Sequence, residues 1–241
     1  MRQKLILSLD VGDPAEALNI LRECRDYCDI VKVGSPLFLL GGARIIRNIR
    51  DMGKEVFLDL KFHDIPNTVA QAGCRAVDLD IFMFDVHTSG GSAMMKTVVE
   101  EVKDYSRKTG RRQPLILGVT VLTSMDQKSM RKDLGCRKPV SELVISLALK
   151  AKGSGLDGTI SSAHEIRKIR RACGKKFLIV VPGIRLDWMK DDQKRTATPG
   201  EAIRAGADFI VVGRPILKTK DRVKTCERII REIQEAEDSH G

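Results

Sequence analysis

The sequence is poor in the aromatic side chains that stack on nucleic-acid bases, with one tryptophan and two tyrosines among its 241 residues. The formal net charge is +10, from 42 basic and 32 acidic residues, but the basic residues do not form one block. Binding of single-stranded nucleic acid combines aromatic platforms with a continuous basic groove, so this composition argues against such a partner. Attraction of a small anion is the more economical use of the charge.

Long apolar segments are missing as well. No run of about 18 apolar residues occurs, so we expect no membrane-spanning helix. The first residues lead directly into a strand pattern that contains Asp10, where a signal peptide needs an uncharged segment, and we expect no secretion by that route. The six cysteines lack the spacing of a disulfide framework. Reduced thiols and a cytoplasmic location are therefore predicted.

Strand-like and helix-like segments alternate along the whole chain, eight of each. The strand segments are nearly continuous in apolar residues, as parallel strands covered on both faces should be. A doubly wound open sheet is the competing architecture, but residues 10–13 after the first strand lack its Gly-x-Gly-x-x-Gly fingerprint. The pattern predicts a (β/α)8 barrel that forms a single domain over residues 1–241. The predicted strands are 5–10, 30–34, 56–61, 81–86, 115–119, 158–161, 177–181 and 209–213. The predicted helices are 14–27, 39–52, 68–79, 93–107, 139–152, 163–172, 199–205 and 221–237.

Two connections that follow strands are much longer than the others, residues 120–138 and residues 182–198. Loops of this length are usually functional, as lids or binding loops. In a (β/α)8 barrel the chemistry takes place at the carboxyl ends of the strands, where both of these loops begin. We therefore expect the functional site at that end.

Charged side chains gather at the end of the third predicted strand. Asp59 and Lys61 are two residues apart, so they point to the same side of an extended strand, and Asp64 follows just beyond it. Opposite charges are costly to bury, and a plain core strand would carry Val or Ile at these positions. The pattern favours a catalytic group over the alternative of an ordinary ion pair at a strand end.

Other strand ends carry residues suited to a phosphate group. Arg185 follows the seventh strand, and Gly213 with Arg214 follows the eighth. Basic side chains and freed backbone N–H groups after the last two strands form the usual phosphate position of such barrels. Gln193 lies in the long loop between them. Together these residues predict a phosphate site.

Residues 59–68, which read Asp-Leu-Lys-Phe-His-Asp-Ile-Pro-Asn-Thr, resemble the D-x-K-x-x-D-I-P signature of the orotidine 5′-phosphate decarboxylase family. The resemblance extends over most of the chain and includes residues 122–124, 182–185 and 212–216. One departure is Ser161, where the family is expected to have a cysteine, and it concerns packing more than chemistry.

The resemblance implies an enzyme that converts orotidine 5′-monophosphate to uridine 5′-monophosphate, the last step of de novo pyrimidine nucleotide synthesis, with no metal and no cofactor. Lys61 would stabilise the negative charge that develops at C6 of the pyrimidine and deliver the proton. Asp59 would lie against the departing carboxylate. Lys32 and Asp64 would complete an alternating Lys–Asp–Lys–Asp array around Lys61.

The resemblance also implies how the substrate is bound. Asp10 and Thr123 would lie around the ribose and the base, and the arginines would hold the phosphate. A homodimer is implied, in which Asp64, Ile65 and Thr68 reach the site of the neighbouring subunit. The implied substrate-binding residues are Asp10, Lys32, Thr68, Thr123, Arg185, Gln193, Gly213 and Arg214.

Two alternatives remain at this point. Metal-dependent relatives, such as a keto-gulonate phosphate decarboxylase or a hexulose phosphate synthase, share the D-x-K-x-x-D strand but need an acid at the end of the second strand. Lys32 is found there instead. A nucleic-acid-binding or phosphate-dependent module that uses the +10 charge is the other alternative, and the scattered basic residues argue against it.

Overall fold

Eight parallel strands close into a barrel, with each strand paired to the next in sequence and the eighth paired to the first. The computed structural model describes residues 3–186 and 197–239. The predicted (β/α)8 architecture is confirmed, and the open-sheet alternative is wrong. The strands are β1 (Leu5–Ser8), β2 (Ile30–Gly34), β3 (Glu55–Phe62), β4 (Met83–His87), β5 (Leu115–Val119), β6 (Gly158–Ile160), β7 (Leu178–Val181) and β8 (Phe209–Val212).

Helices surround the barrel and connect successive strands. Two of them were not predicted: α9, which is a single turn, and α5, which lies inside the long connection after β5. α5 has one buried residue, Met130, so its sequence carries no apolar period that could reveal it. The helices in the described ranges are α1 (Pro14–Cys24), α2 (Ser35–Asp51), α3 (Pro66–Asp78), α4 (Gly91–Thr109), α5 (Gln127–Leu134), α6 (Val140–Gly153), α7 (Ile166–Cys173), α8 (Pro199–Ala205), α9 (Arg214–Leu217) and α10 (Arg222–Asp238).

The first turn of α2 also differs from the prediction. The helix begins at Ser35, with Pro36 in its first turn, instead of at residue 39. Leu39 and Leu40 are 82% and 64% exposed, so the usual rule that apolar residues mark the buried face fails here. Gly42 has a φ of 51°, which breaks the helix shortly afterwards.

The interior of the barrel changes from apolar to polar along the strands. An apolar cluster fills its lower part, towards the amino ends of the strands. Because side chains alternate along a strand, the residues two positions further on point to the same side. The members of the apolar cluster are Ile6, Ile30, Phe57, Met83, Leu117, Val119, Ile160, Val180 and Val211. The residues two positions further along β1 to β4 are Ser8, Lys32, Asp59 and Asp85.

Charges near the amino ends of the strands are paired with one another. Arg112 forms two contacts with Glu55, at 2.6 and 2.8 Å, and Arg50 reaches the same carboxylate at 2.8 Å. Such a network ties helix and loop segments to the start of β3. Within the described ranges, no helix combines the length and apolar character needed to cross a membrane.

A glycine where two strands approach closely gives a test of the barrel. A Cβ atom on Gly158 would lie 2.5 Å from the backbone oxygen of Leu178 on β7. We expect Gly158→Ala to lower the free energy of unfolding by about 1–3 kcal/mol, because the strands must move apart. Denaturant unfolding followed by circular dichroism would measure this change.

The control is Gly153→Ala at the end of α6, where an added Cβ meets nothing within 4 Å. Alanine is the better helix former, so this variant should be neutral or more stable by up to about 1 kcal/mol. Equal effects of the two substitutions would contradict the close approach of β6 and β7.

Candidate active site

Three predicted residues meet in the polar upper interior of the barrel. The Nζ atom of Lys32, on β2, lies 3.0 Å from Oδ2 of Asp59, on β3. The other oxygen of Asp59, Oδ1, contacts the Nζ atom of Lys61. The Asp59 carboxylate therefore lies between two ammonium groups. One comes from Lys32 on β2 and the other from Lys61 on the paired strand β3.

Asp10 is the fourth member of this group. Its Oδ1 atom lies 2.8 Å from Nζ of Lys32, and its Oδ2 atom accepts a 2.7 Å hydrogen bond from the Ser8 hydroxyl. Two glycines leave room for it, since a Cβ atom on Gly34 or Gly213 would lie 3.3 Å from a carboxylate oxygen of Asp10. We call Asp10, Lys32, Asp59 and Lys61 the charged cluster.

The backbone of β3 is irregular where it carries Lys61. The pairing with β4 shifts between Leu58 and Phe62, and Lys61 itself has a φ of 50°. A residue with a side chain costs roughly 1–2 kcal/mol in this left-handed conformation. The backbone N–H of Lys61 donates a 2.8 Å hydrogen bond to the Oδ1 atom of Asp85 on β4, which helps to hold this conformation.

Burial and charge act in opposite directions on the cluster. Burial disfavours the charged form of Lys32, but Asp59 and Asp10 outweigh it, and the pKa of Lys32 is raised. Burial likewise disfavours the charged form of Asp59, but Lys32, a hydrogen bond with Asp85, and Lys61 together hold the pKa of Asp59 well below its usual value. Both side chains are therefore charged at neutral pH.

Two cavities open onto the charged cluster and share its residues Lys32, Asp59 and Lys61, together with Pro182 and Val211. The larger, of about 380 Å³, is polar and is called the basic cavity. The smaller, of about 140 Å³, is called the apolar cavity. The basic cavity is further lined by Ser8, Asp10, Gly34, Ser35, Pro36, Gly183, Arg185, Gly213 and Arg214. The apolar cavity is further lined by Phe57, Val119, Val121, Leu122, Thr123, Ile160 and Ser161.

Three of the four predicted phosphate residues, Arg185, Gly213 and Arg214, line the basic cavity. Arg185 is 8% exposed, and its Nη1 atom donates a 2.7 Å hydrogen bond to the carbonyl of Ile184. Arg214 begins the short helix α9, directly after Gly213. The two arginines at this end of the basic cavity can attract an anion. The apolar cavity, which Thr123 also lines, has an apolar wall against which a flat ring can pack.

Other predicted residues lie apart from the charged cluster. Asp64 is exposed, and its Oδ1 atom accepts a 2.6 Å hydrogen bond from the backbone N–H of Ile65. No ion pair joins Asp64 to Lys61 within the described part of the chain. Thr68, in the first turn of α3, is also exposed. Gln193 lies outside the described residues.

Two residues of this site, Ser8 and Asp85, were not among the predicted functional residues. Ser8 binds Asp10, and Asp85 binds the backbone of Lys61. Both residues lie two positions after a residue of the apolar cluster, so the alternation of side chains along β1 and β4 already places them inside the barrel. An acid in the middle of β4, two residues after the buried Met83, is as unusual as Asp59 is in β3.

Comparison with known proteins agrees with this geometry. A family model described as "Orotidine 5′-phosphate decarboxylase / HUMPS family" matches residues 3–229. The chain belongs to this family. The resemblance read from residues 59–68 is thereby confirmed.

Individual members of the orotidine 5′-phosphate decarboxylase / HUMPS family are similar over nearly their full lengths. The chain is 49% identical to orotidine 5′-phosphate decarboxylase of Syntrophotalea carbinolica, over 98% of this chain and 96% of that protein. It is 47% identical to the enzyme of that name from Syntrophomonas wolfei, over 97% and 99%. A crystal structure of orotidine 5′-phosphate decarboxylase from Lactobacillus acidophilus superposes with a TM-score of 0.85 at 38% identity, over 96% and 99% of the two chains.

The contact between Lys32 and Asp59 predicts how stability depends on pH. We expect Lys32→Met to destabilise the fold by about 3–5 kcal/mol at neutral pH, since Asp59 and Asp10 lose a buried cation. The lowered pKa of Asp59 contributes stability that is present above its unfolded value of about 4 and is lost as the pH falls through the folded value. The deficit of the variant should therefore shrink in acid, as thermal unfolding at a series of pH values would show.

Lys4→Met is the matched control, because Lys4 pairs with Glu237 at 2.8 Å on the partly exposed surface. Its effect should stay below about 1 kcal/mol. A Lys32→Met deficit that does not change with pH would argue against the ionic contact.

Proposed function

We propose that this protein decarboxylates orotidine 5′-monophosphate to uridine 5′-monophosphate, without a metal or cofactor, in pyrimidine biosynthesis. One observation carries the proposal: a charged cluster with a partly exposed lysine ammonium lies between a cavity with two arginines and an apolar cavity. A pyrimidine nucleotide with a carboxylate on its ring matches this arrangement. Its phosphate suits the arginines, its carboxylate the charged cluster and its ring the apolar cavity. The relatives that bear the decarboxylase name support the proposal.

In the proposed reaction, the bond between C6 and the carboxylate carbon breaks. Carbon dioxide leaves, and the electron pair of the bond remains at C6. Lys61 then gives a proton from its ammonium group to C6 and later recovers a proton from water. A cation held beside C6 before the bond breaks stabilises the charge where it develops, at no cost of reorganisation.

Asp59 is proposed to act on the substrate before the bond breaks. Its carboxylate is charged, and the carboxylate of the substrate would approach it closely. Like charges raise the energy of the bound substrate, and the departure of neutral carbon dioxide relieves this repulsion in the transition state. Lys32 holds Asp59 in position from the other side, at 3.0 Å.

The outer parts of the substrate are proposed to bind in the two cavities. Arg185, Gly213 and Arg214 hold the phosphate, and Gln193 is proposed to join them. Asp10 lies beside Lys32 at 2.8 Å, where it can accept hydrogen bonds from ribose hydroxyl groups. Thr123 contacts the base from the apolar cavity.

We also propose a homodimer, in which Asp64, Ile65 and Thr68 complete the partner's site and Asp64 extends the array to Lys61. Ile65 is 66% exposed, and the exposed Leu39 and Leu40 follow the neighbouring strand β2. Large apolar side chains grouped at one end of the barrel are typical of an interface. In a two-fold dimer, each of these residues would be used twice.

Three further expectations accompany the proposal. We infer a cytoplasmic location, in keeping with six cysteines that are all free thiols. We infer that residues 1–241 form a single domain. The proposed partners are the nucleotide and a second copy of the chain, without a nucleic acid.

The direct test is a decrease in the absorbance of orotidine 5′-monophosphate, measured with and without a chelator. We expect turnover that a chelator leaves unchanged, and Lys61→Ala should lower kcat by about a hundredfold to ten thousandfold, since it removes the proton donor. Lys96→Ala, an exposed lysine on α4, is the control and should retain full activity. Activity that disappears with the chelator would favour a metal-dependent family member, and no activity at all would refute the proposal.

Mixing two inactive variants tests the shared site. Lys61→Ala and Asp64→Asn should each be weakly active alone. After the subunits exchange, about a quarter of the wild-type activity should return, because half of the dimers are mixed and each has one intact site. No recovery, although subunit exchange is verified by mass spectrometry, would place Lys61 and Asp64 of one active site on the same chain.

A further inference from the structure

Asp85 is a fully buried acid that lies beside a second buried acid. It is 0% exposed, on the inward face of β4 between Met83 and His87. Its side chain lies within hydrogen-bonding reach of the carboxyl group of Asp59. Two ionised carboxylates cannot hydrogen-bond to each other, so such a contact requires that the pair retains one proton.

The two oxygen atoms of Asp85 have different surroundings. Oδ1 accepts the 2.8 Å hydrogen bond from the backbone N–H of Lys61. Oδ2 is buried and meets no N–H or O–H donor in the part of the chain that the structure describes. A buried carboxylate oxygen without a donor is strongly disfavoured, whereas a protonated oxygen becomes a donor itself.

The surroundings also decide which acid carries the proton. Asp59 contacts the ammonium groups of Lys32 and Lys61, which favour its ionised form. Asp85 is approached by Asp59 and Lys61 from β3, while β5 faces it with Leu117 and contains no titratable residue. Burial first, and then the neighbouring Asp59, raise the pKa of Asp85 well above its usual value.

We propose that Asp85 is held as a neutral carboxylic acid that donates its proton to Asp59 and accepts the backbone N–H of Lys61, and so positions both residues. The inference rests on the proposed function for its effect on turnover, but not for the protonation state itself. Asp85 is a positioning residue, because it acts through Asp59 and Lys61. Its O–H group is the third donor to Asp59, after the two ammonium groups.

Asp85 also supports the irregular backbone of β3. The shift in pairing between Leu58 and Phe62 removes regular strand partners from this part of β3. The carboxyl group of Asp85 supplies the acceptor that the Lys61 N–H would otherwise lack. Loss of this acceptor would free Lys61 to leave its left-handed conformation, and its ammonium group would move from the cavity shared with Asp59.

An infrared comparison tests the protonation state without any need for activity. The difference spectrum between wild type and Asp85→Asn at neutral pH should contain the C=O band of one carboxylic acid, present only in the wild type. Acids common to both proteins, such as the partly buried Asp157, cancel in the difference. A difference spectrum without an acid band, or one that shows a lost carboxylate instead, would overturn the proposal.

The pH dependence of stability gives a second test of the protonation state of Asp85. An acid with a raised folded pKa binds a proton that the unfolded chain releases, so the wild type loses stability as the pH rises above the unfolded value of about 4. The amide group of Asn keeps its N–H donor at every pH in this range. The melting temperature of Asp85→Asn relative to wild type should therefore increase between about pH 5 and about pH 8. A difference that decreases or remains constant would contradict the neutral acid.

Turnover separates positioning from simple structural support. Asp85→Asn keeps one donor and one acceptor and should retain kcat within about threefold, whereas Asp85→Val should lower kcat by on the order of ten- to a hundredfold with little change in KM. If Asp85→Val does not fold, the Asn variant and the infrared band still decide. Equal losses for Asn and Val would refute the positioning role. A wild type that is inactive on the nucleotide but shows the acid band would refute the proposed function alone.

Discussion

The contact of the Asp59 carboxylate with two ammonium groups determines the arrangement of the site. Lys32 is almost fully buried, and a buried cation is tolerable only beside anions. Without Asp59, two lysines would face each other in the upper barrel, with Asp10 left as the anion in contact with Lys32. The positions of the Lys32 and Lys61 ammonium groups therefore depend on this carboxylate.

Much of the fold could be read from the sequence, because parallel strands covered on both faces produce apolar runs that alternate with amphipathic helices. α5 escaped prediction because it buries a single residue, Met130, so its apolar pattern marks no buried face. Leu39 and Leu40, in the second turn of α2, are exposed, so the apolar pattern does not mark the buried face there either. Where tertiary contacts are few, the pattern that reveals a helix is weak.

The site was predictable in part for a different reason. Asp59 and Lys61 are neighbours in sequence, and their two-residue spacing is sufficient to place them on one face. Asp85 contributes through a shift in strand pairing and through the φ of 50° at Lys61, neither of which follows from residue identities alone. Asp64 differs again, since its predicted role requires a second chain.

The apolar cluster in the lower barrel determines the route by which small molecules enter and leave the site. Side chains such as Ile6, Phe57 and Met83 are at most 1% exposed and close the interior towards the amino ends of the strands. Any small molecule that reaches the charged cluster must therefore arrive from the carboxyl end and depart by the same route. A reactant and its product cannot pass each other in such a dead-end chamber, so each must vacate it before the next can enter.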